Sequence, residues 1–414
     1  MELDASLAAP ATAPRPLELP RLARLGLLGG IAVTLTAGAT WGALLLLRLA
    51  AAGSFTALSV FEVNAHGQAQ IYGWVGLVLL GVGYLLVPRM LGVALARPRL
   101  AARSLAAMAA GTVLRAVSEP FAAGGSLPAA PLALAGALLQ FVAAALFLVV
   151  VASTLARRSG RRPVDRWLLA AGSWFVTAAA LDLVHLARLA AAPSRENLLA
   201  QLATWQLPLR AMQVQGVMVS AILGMSLFLL PMLFGRKKAA FEIADAAWWP
   251  FQVALAAQIV AFVAFMSSGW TAWAGVLRAA QVLFAVAALT VAGGFRLWRR
   301  QPRSAAHACE LRFVVASHLW LAVSLAMTVA APLWSAATGH PFSHAWTGAA
   351  RHAITVGFVS LSIVGFGSRI AALLSGRPLP PRLLTAVLVL LNTGCALRVT
   401  MQSATDWTAA AFPV

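Results

Sequence analysis

The chain is a succession of long apolar runs separated by short polar connections. A helix needs roughly 20 residues to cross a hydrocarbon core of about 30 Å, and eleven runs reach that length. They lie at 26–48, 66–88, 104–122, 131–156, 167–187, 208–234, 246–267, 271–295, 311–334, 350–373 and 383–403. The pattern predicts an all-α fold, a polytopic membrane helix bundle. We expect a single transmembrane domain over 26–414, after a flexible cytoplasmic tail over 1–25.

Composition agrees with this class. Of the 414 residues, 61% are hydrophobic and 10% are charged, whereas soluble domains have about 25% charged residues. The net charge of +19 would suggest a nucleic-acid partner in a soluble chain. Here the arginines lie in the connections between apolar runs, so we expect membrane lipid and no nucleic acid as the partner.

The basic residues also predict an orientation. The connection at 89–103 contains four arginines, while the connections at 51–65 and 123–130 contain no basic residue. This alternation continues along the chain, and basic connections face the cytoplasm. The N-terminus is therefore predicted to be cytoplasmic. Eleven spans place the C-terminus outside, as expected for a bundle that lacks a twelfth helix present in related proteins.

One helical segment recurs along the chain. A shift of 143 residues superimposes Gln70 on Gln213, Gly73 on Gly216, Gly81 on Gly224, Pro88 on Pro231 and Gly92 on Gly235. A third copy begins at Arg351, where Gly357 and Gly365 keep the same spacing. Small residues let helices approach closely in lipid, so the pattern indicates one packing unit used repeatedly. The alternative is chance in a chain with 32 glycines.

Ionisable residues inside membrane spans are expensive and usually functional, which directs attention to the seven histidines. The topology places His66, His185, His340, His344 and His352 at the outer side, His318 in the inner half of the ninth span and His307 in a cytoplasmic connection. Three interpretations apply: interhelical hydrogen bonds or interfacial anchoring, a metal site, and a proton or substrate pathway.

His66 and His352 favour the metal interpretation, because both begin helices with the same glycine pattern. Two imidazoles from separate helices can ligate a haem iron from both sides. Arg351 and Arg210 are candidates to pair with the haem propionates, and snorkelling to the interface is the alternative for each arginine.

Two further pairs are spaced for contact along one helix. Asp182 and His185 are three residues apart and predict a carboxylate–imidazole pair or an ordinary buried hydrogen bond. Arg115 and Glu119 are four apart, and we interpret them as a structural pair inside the third span.

Three segments carry a family resemblance: AHGQAQIYGWVGLVLLGVGYLLVPR, RAMQVQGVMVSAILGMSLFLLPMLFG and RHAITVGFVSLSIVGFGSRIAALLSG. Together they resemble the NnrS family, haem- and copper-associated membrane proteins of denitrifying or nitric-oxide-exposed bacteria. They are also similar to helices of haem–copper oxidase subunit I. The resemblance implies a bacterial inner membrane location, a b-type haem, copper as a second metal, and a role in nitric oxide metabolism or tolerance. It implies nitric oxide or a membrane redox partner as further partners.

In haem–copper oxidases, histidines of the second and tenth spans hold the low-spin haem, and His66 and His352 match them. The oxidase copper ligands come from the sixth and seventh spans, but 208–267 contains no histidine. An oxidase-like dinuclear centre is therefore not expected, and enzymatic activity stays open. His318, His340 and His344 are candidates for a second metal. The alternative functions are a small-molecule or metal transporter whose histidines handle protons or metal, and an assembly partner without cofactor.

Overall fold

The computed structural model describes residues 18–160, 162–235, 241–299 and 308–412. Within these ranges the regular elements are helices, with no β-strand. Eleven helical stretches are long and apolar enough to cross a membrane. They are α1 (Pro20–Ala52), α2 (Val60–Leu91), α3 (Pro98–Phe121), α4 (Ala129–Leu155), α5 (Pro163–Ala190), α6 (Arg195–Phe234), α7 (Phe241–Ser268), α8 (Ala272–Gly294), α9 (Cys309–Thr338), α10 (His344–Ser375) and α11 (Pro381–Ala404). The predicted all-α, polytopic class and its eleven spans are confirmed.

The first helix begins earlier than predicted. Helical structure starts at Glu18, so residues 18–25 of the predicted tail are helical, while 1–17 lie outside the described residues. These residues are helical because they pack: Leu22 and Ala23 are buried. A Cβ built on Gly26 would lie 2.8 Å from the Cα of Gly81, which shows how closely α1 approaches α2.

Most of the other helices also begin before their predicted starts, and in α6 and α10 a serine caps the added turns. Helix α6 begins at Arg195 instead of 208, and the hydroxyl of Ser194 caps it by accepting from the backbone N–H of Asn197. Helix α10 begins at His344 instead of 350, and Ser343 caps it in the same way. Serine at such a position satisfies backbone donors that the first helical turn leaves without a partner. Capping therefore extended both helices beyond their apolar runs.

The predicted repetition appears in the backbone. Helices α2, α6 and α10 each contain an eight-residue π-helical segment, at Ala69–Gly76, Met212–Val219 and Ala353–Ser360. A 15-residue α-helix follows each segment. Gly92, Gly235 and Gly376 then end these helices with positive φ angles of 68°, 62° and 68°, a conformation that favours glycine. The repeated packing unit is confirmed.

Residue contacts divide the chain into two compact units. Unit 1 contains the described residues up to Arg48 together with Thr56–Val217, and unit 2 contains Leu49–Phe55 with the described part of Met218–Val414. In unit 1, Phe61 of α2 and Leu186 of α5 share a buried apolar cluster. In unit 2, Phe313 of α9 and Leu361 of α10 form another. The sequence predicted one domain over 26–414, and it did not indicate this division.

Candidate functional site

Helix α2 carries a buried polar stripe. Asn64, Gln68 and Tyr72 follow one another at four-residue intervals and are 5%, 1% and 0% exposed. Residues four apart lie on the same face of a helix. This face is met by polar side chains from α3, α4, α5 and α6, which together we call the polar core of unit 1. This stripe was not predicted, although the four-residue spacing of polar side chains at the start of an apolar run is a usable signal.

Arg115 lies at the centre of the charged part of the polar core. Its side chain is 1% exposed, and its Nε donates to Oε2 of Glu119 at 2.7 Å. Its Nη1 donates to Oδ2 of Asp182 at 2.5 Å and to Oε1 of Gln140 at 3.0 Å. The predicted Arg115–Glu119 pair is confirmed. Burial of the guanidinium is tolerated because two carboxylates and an amide surround it.

The predicted direct pair of Asp182 with His185 is wrong. Asp182 binds Arg115 of α3, while Nε2 of His185 donates to Oε1 of Gln206 at 3.0 Å. Charge decides the outcome, since a hydrogen bond between two ionised groups is stronger than one to a neutral imidazole.

Gln140 connects the charged group to α2. Its Nε2 donates to Oε1 of Gln68 at 3.0 Å and to the hydroxyl of Thr112 at 3.2 Å. Helices α3 and α4 come close enough for these bonds because glycines face each other. A Cβ built on Gly111 would lie 2.6 Å from the carbonyl oxygen of Gly136. Small residues thus permit the close approach that the polar contacts require.

Arg210 forms the second part of the polar core. Its Nη1 donates to Oε1 of Gln213 at 2.7 Å and its Nη2 to Oδ1 of Asn64 at 2.8 Å. The side chain of Gln213 donates in turn to the hydroxyl of Tyr72 at 3.2 Å. Arg210 is 8% exposed. The ion pairs of the described residues do not include Arg210, so its direct partners are neutral oxygens and its charge suits an anionic group.

Arg210 also lies close to the backbone next to His66. A Cβ built on Gly67 would lie 3.3 Å from Nη2 of Arg210, so the guanidinium covers the residue that follows His66. The structure therefore brings two of the predicted cofactor residues into one neighbourhood of unit 1.

The imidazole of His66 is oriented by α1. Its Nδ1 lies 2.9 Å from the carbonyl oxygen of Gly38. Because a carbonyl oxygen only accepts, Nδ1 carries the proton in the neutral ring, and the lone pair is on Nε2. A Cβ built on Gly42 would lie 2.9 Å from Cε1 of the ring. Glycine at this position therefore leaves the space that the ring occupies.

In unit 2, Nδ1 of His352 also lies beside a backbone carbonyl oxygen, but one of its own helix. Its Nδ1 lies 2.9 Å from the carbonyl oxygen of Gly348, one helical turn earlier. The proton is again on Nδ1 and the lone pair on Nε2, which is the form in which imidazole binds a metal. His352 and the preceding Arg351 are both half-buried. His66 and His352 precede their π-helical segments by three residues and one residue.

The other predicted metal ligands lie in different environments. His340 and His344 are exposed, and the ring of His344 contacts that of Phe342 edge to face. His318 is buried between Phe295 and Phe358, with its Nδ1 2.8 Å from the carbonyl oxygen of Val314. His307 lies outside the described residues. Among the described residues, no three or more of His, Cys, Asp and Glu are grouped to hold a metal ion. This finding does not address a haem held by two histidines.

These features define a multi-pass, all-α membrane protein with a charged polar core buried among apolar helices. The chain belongs to the NnrS family: the family described as NnrS protein matches residues 24–414, nearly the whole chain. None of the curated proteins compared with the chain matches it.

Proposed function

We propose that this protein is an integral membrane haem protein that acts in nitric oxide metabolism or tolerance. His66 and His352 are the residues that would hold the iron of a b-type haem near the outer face. The observation that carries the proposal is that both imidazoles carry their proton on Nδ1 and have the lone pair on Nε2. Each has its Nδ1 2.9 Å from a backbone carbonyl oxygen, in corresponding helices of the repeat.

The residues would hold the haem in the following way. A backbone carbonyl on Nδ1 fixes the ring orientation and makes Nε2 a better ligand for iron. Arg210 and Arg351 would pair with the propionates; Arg210 supports this role because its direct partners are the neutral side chains of Asn64 and Gln213. When bound, the haem would supply one-electron redox chemistry at its iron.

The biological role and the location rest on other support. The assignment to nitric oxide follows from membership of the NnrS family and from the resemblance of the three repeated segments. We propose the bacterial inner membrane, with a cytoplasmic N-terminus, because the arginine-rich connections alternate with connections that contain few basic residues or none. Nitric oxide or a membrane redox partner would then reach the haem from the membrane or from its outer side.

Copper at His340 and His344 is a separate part of the proposal. Both side chains are exposed, so such a site would be open to water and would exchange its metal readily. Elemental analysis of the wild type and of the His340→Ala and His344→Ala variants tests it. Equal copper contents in all three proteins would rule out this location.

The absorption spectrum of protein purified from haem-replete cells tests the haem proposal. We expect a Soret band that weakens or splits in His66→Ala and in His352→Ala, because each change removes one of the two proposed ligands. His185→Gln is the control and keeps the wild-type spectrum, because His185 belongs to neither proposed metal site and its Nε2 bonds Gln206. A colourless wild-type protein would overturn the proposal and favour transport, for which ion or metal flux in vesicles is the measurement.

A further inference from the structure

The polar core of unit 1 contains four buried charged side chains. Arg115 and Arg210 are cations, Glu119 and Asp182 are anions, and all four are at most 8% exposed. Their formal charges sum to zero. Asp182 and Glu119 both act electrostatically on Arg210 as well as on Arg115. A net-neutral set of this kind, shielded from water, resists any added charge unless a proton or an ion moves with it.

The two carboxylates of this set differ in the hydrogen bonding of their oxygens and in their exposure. Oε2 of Glu119 accepts from Arg115, but Oε1 is buried and has no hydrogen-bond partner in the described part of the chain. Glu119 is 0% exposed, whereas Asp182 is 6% exposed and neither of its oxygens is left buried without a partner. A buried oxygen without a partner is costly when charged and needs an explanation. Protonation of Oε1 removes that charge, so Glu119 is the carboxylate prepared to accept a proton.

Glu119 is also close to the membrane surface along the chain. It begins a short 3₁₀ turn, Glu119–Phe121, and Phe121 is 63% exposed. The connection that follows Ala122 is exposed as far as Pro128. A proton from the aqueous phase on that side therefore has a short route to the carboxylate.

The groups that act on Glu119 come from several helices. Arg115 on α3, Asp182 on α5 and Arg210 on α6 are the charged groups with the strongest effect on it. Helix α2 packs against the Glu119 turn and contributes Glu62, which pairs with Arg48, and the titratable His66. Helix α4 also packs there, and its polar group in the core is the neutral Gln140. Negative charge added near Arg210 weakens the positive field that favours the ionised form of Glu119.

We propose that Glu119 is a proton-loading residue, which takes up a proton on Oε1 when negative charge is added beside Arg210 and releases it when that charge is removed. The inference rests on the proposed function, in which His66 would help to hold a haem, and the haem would supply one-electron chemistry with an external one-electron donor. A proton from the aqueous phase would then form an O–H bond with Oε1, so that the electron and the proton together add no net charge. Glu119 would act through the electrostatics of the polar core.

A potentiometric titration of the haem protein at several pH values tests the inference. Reduction coupled to proton uptake becomes harder as pH rises, so the wild-type midpoint potential falls. The steepest slope expected for one electron and one proton is about 59 mV per pH unit, which corresponds to a tenfold change in the equilibrium constant per pH unit. In Glu119→Gln we expect a midpoint that does not depend on pH. Glu310→Gln is the matched control, because Glu310 is a glutamate 5% exposed in unit 2, and it keeps the wild-type slope.

The outcomes separate this inference from the proposed function. A coloured Glu119→Gln variant with the wild-type slope, or a coloured wild type with no slope, overturns proton loading and leaves haem binding intact. A colourless wild type overturns the proposed function, and the coupling to a haem falls with it. If Glu119→Gln does not fold, the reduced-minus-oxidised infrared spectrum decides. A carboxylic-acid C=O band that shifts in Glu119→Asp supports the inference, and its absence from the wild type overturns it.

Discussion

At the scale of single residues, Gly42 controls the position of the proposed haem ligand His66. A Cβ at this position would lie 2.9 Å from Cε1 and 3.3 Å from Nδ1 of the imidazole. In Gly42→Ala the ring must shift, which lengthens the bond from Nδ1 to the Gly38 carbonyl. Overpacking of this kind costs about 1–3 kcal/mol, so we expect haem affinity to fall roughly tenfold to a hundredfold. Haem titration followed at the Soret band measures it.

Gly275→Ala is the matched control for this prediction. Gly275 lies in α8, where a Cβ would meet no atom within 4 Å. We expect this variant to bind haem as the wild type does. Equal haem affinity in Gly42→Ala and Gly275→Ala would show that the ring position of His66 does not matter for haem binding.

The buried ion pairs of Arg115 should contribute more to the free energy of unfolding than the exposed ion pair of Arg48. Arg115→Gln leaves Glu119 and Asp182 buried without their cation, and breaking a buried pair costs about 3–5 kcal/mol. Arg48 pairs with Glu62, but its side chain is 48% exposed, and such surface pairs contribute about 0–1 kcal/mol. Thermal unfolding in detergent should therefore show a large loss in Arg115→Gln and almost none in Arg48→Gln. Equal melting temperatures would contradict the assignment of Arg115 to a tightly paired core.

Only some of these partners could be predicted from the sequence. The spacing of Arg115 and Glu119 reveals their contact because both lie on one helix, four residues apart. Asp182 was assigned to His185 because the sequence shows only neighbours along the helix. Its actual partner, Arg115, lies 67 residues away on α3, and helix packing alone brings the two together.

At the scale of elements, the three repeated helices share a packing mode that their glycines explain. In each π-helical segment, a Cβ on the central glycine would collide with the preceding span. Gly73 faces Val33 of α1, Gly216 faces Trp174 of α5, and Gly357 faces Trp320 of α9. The glycine spacing predicted the close packing. The π-helices themselves were not predicted, because they change the hydrogen-bond register of the backbone and leave the apolar pattern intact.

Gly216→Ala and Gly357→Ala test this packing. The atoms that a new methyl group would meet include Cβ and Cγ of the facing tryptophan, which cannot swing away as the end of a flexible chain would. We expect each substitution to lower the free energy of unfolding by about 1–3 kcal/mol, measured by chemical or thermal unfolding in detergent. Gly394→Ala in α11, where a Cβ meets nothing within 4 Å, is the control. An unchanged free energy of unfolding in Gly216→Ala and Gly357→Ala would mean that close packing at these glycines does not stabilise the protein.

At the scale of the whole molecule, hydropathy located all eleven spans, because each must present about 20 apolar residues to lipid. It misplaced several helix ends, where Ser194 and Ser343 cap polar turns that extend beyond the hydrocarbon region. It also gave no sign of the two compact units, since these depend on which helices pack together. Orientation is a different kind of prediction, because it rests on charge in the connections.

Chemical labelling of two exposed connections tests that orientation. Ala123 lies between α3 and α4 in a stretch without basic residues, and Ser159 lies between α4 and α5 among several arginines. Both are exposed, and arginine-rich connections stay in the cytoplasm. In a background in which Cys309 and Cys395 are replaced by serine, a membrane-impermeant thiol reagent should label Ala123→Cys in spheroplasts. It should reach Ser159→Cys only after the membrane is permeabilised.

The reverse labelling pattern would place the N-terminus outside, and labelling of both positions in sealed cells would contradict the span order. The result also bears on proton loading, because Ala123 follows Glu119 by four residues. The side on which Ala123→Cys reacts is therefore the side from which Glu119 draws its proton. Labelling from outside predicts that the midpoint potential in sealed vesicles follows the pH of the outer solution. A potential that follows the inner pH instead would require a route through the polar core from the opposite side.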